Sequence, residues 1–199
     1  AYSLLQIFVI SQNTDALSLN SEGVAHYYDR LMDGSFGNFR TLLTDVTLHP
    51  CMGVYLSHLG NRKADPSINR YPDENFAREI MQLFSIGLWE LNGDGTRKLV
   101  GGQPVPTYDQ NTIRNYARVF TGLTFGGTRE WFQWVPQNYV APMLGYDEFH
   151  DLAPKTLLSG VTTPARTWNG GVGPSDPGTA TMLDVDAATP SARRAALQK

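Results

Sequence analysis

Apolar positions in this chain recur mostly at helical spacing, and the pattern is sharpest between residues 73 and 87. At about 100° per residue, Phe76, Ile80, Leu83 and Phe84 fall on one arc, with Ala77 and Met81 at its edge. Glu74, Arg78, Gln82 and Ser85 form the opposite stripe. Pro72-Asp73 is a helix start signal with Asp73 as N-cap, and Gly87 is a left-handed stop. The pattern predicts a central helix over 73–86, touched by both 36–48 and 109–121, with Leu83 in the core. Glu79 lies on the border of the arc, about 140° from Glu74. It is therefore expected to be half-buried and to take Arg78 or Arg118 as a partner, because an unpaired buried carboxylate is costly.

The same reading places a wholly apolar, buried helix over Tyr2 to Ile10. A second starts at Ser21-Glu22 and turns Val24, Tyr27, Tyr28, Leu31 and Met32 inward and His26 outward. A third carries Phe36, Phe39, Leu43 and Val46 and is closed by His49, a favourable partner for the helix dipole. Pro50 opens a short fourth helix ending at Gly60, and His58 on it has no evident partner. The last clear helix covers 109–121, with Ile113, Tyr116, Ala117 and Phe120 inside and Arg114, Asn115, Arg118 and Thr121 outside. Between these helices, 89–107 is rich in turn residues and suits a small hairpin. Residues 122–149 read as irregular structure carrying Trp131, Phe132, Trp134 and Tyr139. The fold class is thus mostly α: a single helical domain of five or six helices over 1–160 with an irregular aromatic segment. A Gly/Pro/Thr-rich tail over 161–199 is expected to be extended and to lack its own core.

The formal net charge of −3 over 199 residues leaves no electrostatic footprint for nucleic acid. No apolar run approaches the roughly 18 residues that span a bilayer. The lone Cys51 excludes an intrachain disulfide and a thiolate zinc site. The chain begins in apolar helical sequence without an initiator Met, which predicts an internal piece of a longer protein.

Five ordered segments resemble one bacterial family, catalogued as domain of unknown function 1800. They are Leu-Leu-Gln-Ile-Phe-Val-Ile-Ser at 4–11, the segment from Phe36 to Met52, the signature Asp-Glu-Asn-Phe-Ala-Arg-Glu-Ile-Met-Gln-Leu-Phe-Ser-Ile-Gly at 73–87, the segment from Tyr108 to Thr124, and Phe-His-Asp-Leu-Ala-Pro-Lys-Thr-Leu-Leu-Ser-Gly at 149–160. The resemblance implies a mostly helical, exported bacterial protein, located in the periplasm, on the outer surface or secreted. It names no reaction.

Candidate chemistry gathers at two motifs. In the signature helix, Glu74 and Arg78 form a local pair, and Glu74 or Glu79 would serve as general acid or base with Arg78 orienting. Against this stands a purely structural role for the same charges. At His150-Asp151, a non-helical site offers the side chain best suited to proton transfer near neutral pH. The alternative has Asp151 capping a turn, Lys155 pairing with it and His150 plugging an aromatic pocket. The doublet also occurs in metal-dependent phosphohydrolases, but His26, His49 and His58 do not supply the matching frame. Glu90 to Thr96 has the alternating oxygens of a calcium loop with Gly101 where a bidentate Glu belongs, and equally reads as a tight turn. Trp131, Trp134 and Tyr139 would stack on sugar rings or lid a small core. Helix 73–86 and the 149–155 loop are expected to meet, joining Glu74, Arg78, Glu79, His150 and Asp151 in one site.

Three functions follow. One is an exported protein that acts on or binds an extracellular polymer such as a polysaccharide. The second is a non-catalytic surface or assembly scaffold whose partners are other chains or the remainder of its own protein. The third is a metal-dependent hydrolase. Metal and cofactor are left unspecified.

Overall fold

The computed structural model describes residues 2–13, 15–126 and 137–166, and helices are the main regular structure among these. Its helices are α1 (Tyr2–Ile7), α2 (Asp15–Ser18), α3 (Ser21–Asp33), α4 (Phe39–Leu48), α5 (Pro50–Tyr55), α6 (Asn75–Gln82) and α7 (Gln110–Val119). The single-turn α2 makes seven among the described residues, one more than the spacing predicted, because a four-residue helix is too short to show a period.

Side-chain caps start most of the others. Asn38 Oδ1 accepts from Arg40 N–H at 2.9 Å at the head of α4. Asp109 Oδ1 accepts from Thr112 N–H at 2.7 Å at the head of α7. Before α6, Asp73 Oδ1 accepts from Asn75 N–H at 2.7 Å, the capping role expected of it. His49 does more than close α4: its Nδ1 accepts from Cys51 N–H at 3.2 Å and so caps α5 as well.

One core runs through Tyr27 and Leu31 of α3, Leu43 and Val46 of α4, Met52 of α5, Phe76 and Met81 of α6, and Ile113 and Val119 of α7. Phe76 meets Phe120 edge-on at 4.8 Å, which seats α6 on α7. Toward α4, Phe8 intervenes, 6.0 Å from Phe39 and 5.1 Å from Phe84. Three antiparallel ribbons complete the body: β1 (Leu99–Val100) with β2 (Gln103–Pro104), β3 (Leu123–Thr124) with β4 (Leu144–Gly145), and β5 (Lys155–Thr156) with β6 (Thr162–Thr163). The first is the expected hairpin, closed by Gly101 and Gly102. Their φ of 59° and 79° suit the left-handed two-residue turn that matches strand twist. Glu90 to Thr96 forms a tight turn, in which Asp94 Oδ1 accepts from both Thr96 N–H and Oγ1–H.

Several expectations need correction. The helix over 73–86 ends at Gln82. Phe84 N–H bonds Glu79 O and Ile86 N–H bonds Met81 O, five residues back, so the closing turn widens before Gly87 stops it at φ 72°. That widening swings Leu83 outward to 58% exposure, while Phe84 stays in the core. The N-terminal segment is not a helix buried on all sides. α1 is only six residues long and buries none of them, and the buried residues Phe8 and Ile10 follow it. Met32 and Phe36 also stand exposed. His58, which lacked an evident partner, is fully buried, stacked on Phe76 at 3.8 Å with its Nε2–H donating to Thr47 O at 2.8 Å.

Of the aromatic segment, Tyr139 is buried against Phe125 at 5.0 Å, whereas Trp131, Phe132 and Trp134 lie outside the described residues. The start of the expected tail pairs with the body through β6, and residues 167–199 lie outside the described residues. No helix among the described residues is long and apolar enough to cross a membrane.

Candidate functional site

The C-terminal end of α7 anchors two loops, and Gly122 makes this possible. Its φ is +80°, and a Cβ there would lie 2.7 Å from Tyr146 O and 2.9 Å from His150 N, so only glycine fits without displacing backbone. Gly122 N–H donates to Asn61 O at 2.7 Å, and Gly122 O accepts from Tyr146 N–H at 2.8 Å. The Asn61 side chain in turn grips Asp73, accepting from its N–H at 3.0 Å and donating to its O at 3.3 Å. The loop before α6 and the loop carrying His150-Asp151 thus lie side by side on α7.

The cleft between them holds about 560 Å³ and is lined by Ala64, Tyr71, Pro72, Glu74, Arg114, Ala117, Arg118 and Asp151. Arg118 and Asp151 form a two-pronged pair: Nε donates to Oδ2 at 2.6 Å and one terminal nitrogen to Oδ1 at 3.0 Å. Arg118 also donates to Asn115 Oδ1 at 2.9 Å and Pro154 O at 3.0 Å. Burial pulls the Asp151 carboxyl upward, but the hydrogen bonds and charge of Arg118 outweigh it and hold the group below the usual carboxylate range. Opposite, Glu74 Oε2 accepts from Arg78 at 3.2 Å and from Gln110 Nε2 at 2.7 Å. Arg114 Nε stands 3.8 Å from Glu74 Oε1. Tyr71 is 64% exposed beside them.

The five residues expected to form one site separate into three places. Glu74 and Asp151 line the same cleft, and Arg78 reaches it through Glu74. His150 does not open into it. It is fully buried, and since a carbonyl can only accept, its Nδ1–H donates to Thr121 O at 2.7 Å. Asp151 N–H bonds Thr121 Oγ1 at 2.9 Å, so Thr121, expected to face outward, is instead a buried clamp on both residues of the doublet. Lys155 is also buried and donates to the backbone oxygens of Asp151 and Ala153. Glu79 is half-buried as expected, yet its Oε2 has no hydrogen-bond partner among the described residues. Both arginines proposed for it are spent elsewhere, Arg78 on Glu74 and Arg118 on Asp151. Tyr108, whose hydroxyl is pushed up in pKa chiefly by burial, with Arg78 opposing and Glu79 adding to the shift, likewise has no hydrogen-bond partner among the described residues.

Sequence spacing missed Arg114 and Arg118 as cleft residues, because their partners lie 40 and 33 positions away. It also missed a histidine pair. His26 Nδ1 sits 3.0 Å from His49 Nε2, with the rings stacked, at the edge of a second hollow of about 350 Å³ that Arg30 and Asp45 also line. His49 Nδ1 already accepts from Cys51 N–H, so its proton is on Nε2 and is donated to His26. A metal at His49 Nε2 would break that arrangement. No group of three or more His, Cys, Asp or Glu among the described residues is placed to hold a metal ion.

Among the described residues, then, seven helices and three short ribbons frame an open, charged groove beside α7. The chain belongs to the family described as protein of unknown function (DUF1800), which it matches over residues 1–194. No curated protein and no solved structure matches it.

Proposed function

We propose that this domain binds an extracytoplasmic polymer, a polysaccharide, in the groove between Tyr71, Glu74, Arg114, Arg118 and Asp151. The observation that carries the reading is the meeting of an exposed aromatic ring with two carboxylates and two guanidinium groups in one open cleft. A sugar ring presents an apolar face and a rim of hydroxyls. Tyr71 suits the face, and fixed charged acceptors and donors suit the rim. An open groove also admits an internal stretch of a long chain.

Binding accounts for the chemistry better than hydrolysis. A general acid needs a carboxyl that holds its proton near neutral pH. Asp151 is pushed the other way, and Glu74 is shared by Arg78 and Gln110. His150, buried behind Thr121, has no path to a ligand in the cleft. Location outside the cytoplasm belongs to the same proposal and rests on the family resemblance; fractionation of the native host checks it.

The test is affinity of the wild type and of Tyr71→Ala for a panel of neutral and charged polysaccharides. Tyr71 is exposed, so its truncation leaves the fold intact. Loss of one stacking partner should weaken binding by a few-fold to about tenfold. Binding unaffected by Y71A would place the ligand elsewhere.

A scaffold role has its own support. Phe76, Ala77, Ile80 and Met81 of the signature helix are all core, Glu74 ties α6 to α7 through Gln110, and Asp151 ties its loop to α7 through Arg118. If no polymer binds, these contacts alone account for both motifs.

A further inference from the structure

We infer that the ligand of this cleft carries negative charge, as a carboxylate or sulfate group on the polymer, and that Arg114 is the residue that reads it. The inference rests on the cleft being the binding site. It comes from counting donors against acceptors along the groove. Arg118 spends four hydrogen bonds on Asp151, Asn115 and Pro154, and its charge is matched by Asp151. The remaining anion, Glu74, is shared by two cations. Arg78 takes Oε2 together with Gln110, and Arg114 is left with a 3.8 Å approach to Oε1, beyond hydrogen-bond length. Of the two guanidinium groups that share Glu74, Arg114 is the one that lines the cleft, and its contact is the longer, so its N–H groups are the least engaged there.

Its position is right for recognition. Arg114 sits one helical turn before Arg118 on α7, so both project toward the same groove, and its side chain is 66% exposed while lining it. A planar guanidinium with unspent N–H groups matches a carboxylate or sulfate in two-pronged geometry. Tyr71 lines the same cleft of about 560 Å³. The overall charge of −3 repels polyanions in general, so selection for one must come from a local cation such as this.

The experiment measures retention of the wild type in gels containing polygalacturonate, dextran sulfate or unmodified dextran, alongside Arg114→Gln and a control, Arg97→Gln. Arg97 stacks over Trp89 at 5.7 Å and does not line the cleft, so its loss changes net charge equally without removing a lining residue. The expected result is binding to a charged polymer that falls about tenfold in R114Q, stays unchanged in R97Q and weakens with added salt. Preference for polygalacturonate identifies a carboxylate, and preference for dextran sulfate a sulfate ester. Equal binding to unmodified dextran would overturn the anionic ligand while leaving the cleft as the site. Equal losses in R114Q and R97Q, or equal affinity for a DNA duplex, would reduce the effect to bulk charge and overturn it too. Binding to none of the polymers would overturn both the inference and the cleft reading.

Discussion

Lowering the pH from about 8 to 5 should destabilise this domain through His49 and His58. Both are buried, and burial is the main reason their pKa values fall, to about 3 for His49 and about 4 for His58. His26 and Arg30 beside His49 lower it further, whereas the hydrogen bond from His58 to Thr47 O opposes the effect of burial. An unfolded imidazole titrates near 6.5, so below that pH the unfolded chain takes up protons that the folded chain refuses. Stability contributed by these groups is therefore complete above about pH 6.5 and declines as pH falls toward the folded values. At about pH 5 each site is roughly 1.5 pH units below its unfolded pKa, worth about 2 kcal/mol, or about 4 kcal/mol for the pair. With a urea m-value of about 2 kcal/mol per molar, the unfolding midpoint followed by circular dichroism should drop by about 2 M. His49→Asn keeps an oxygen to cap Cys51 N–H but cannot titrate, so it should remove about half of that drop. An unchanged midpoint between these pH values, or a full drop in H49N, would refute the argument.

Other variants read other parts of the structure. Gly122→Ala should cost about 2 kcal/mol or more in chemical denaturation, since it forces a left-handed φ and a 2.7 Å contact with Tyr146 O. A loss under half of that would mean the loop yields. Leu83→Ala should change stability by no more than about 0.5 kcal/mol, whereas Ile80→Ala, one turn earlier and buried, should cost about 2–5 kcal/mol; equal effects would restore Leu83 to the core. Asp151→Asn should cost about 2–4 kcal/mol, because it leaves the largely buried Arg118 guanidinium without its counter-charge. A neutral result would show that water replaces the carboxylate.

Short-range structure was legible and long-range pairing was not. The cap at Asp73, the stop at Gly87, the Glu74–Arg78 pair and the apolar faces of α6 and α7 all follow from neighbours within one or two turns. Leu83 departs from the predicted arc because bonds to residues five back alter the helical period at that turn. Glu79 was correctly placed at the boundary of the apolar arc, but its supposed arginines were claimed by Glu74 and by Asp151, the latter 33 residues from Arg118. His150 looked like a loop base. Nothing in the local sequence shows that Gly122 lets backbone approach closely enough to bury it. Asp151, half of the expected doublet, is the counter-ion of Arg118 and lines the cleft.

The groove beside α7 is where we propose that a polymer binds. This is tested most directly by titrating the isotopically labelled domain with short fragments of polygalacturonate and following backbone and arginine side-chain resonances by NMR. The largest shifts are expected at Tyr71, Glu74, Arg114, Arg118 and Asp151. Shifts centred on the hollow lined by His26, Asp45 and His49, or none at the groove, would contradict it.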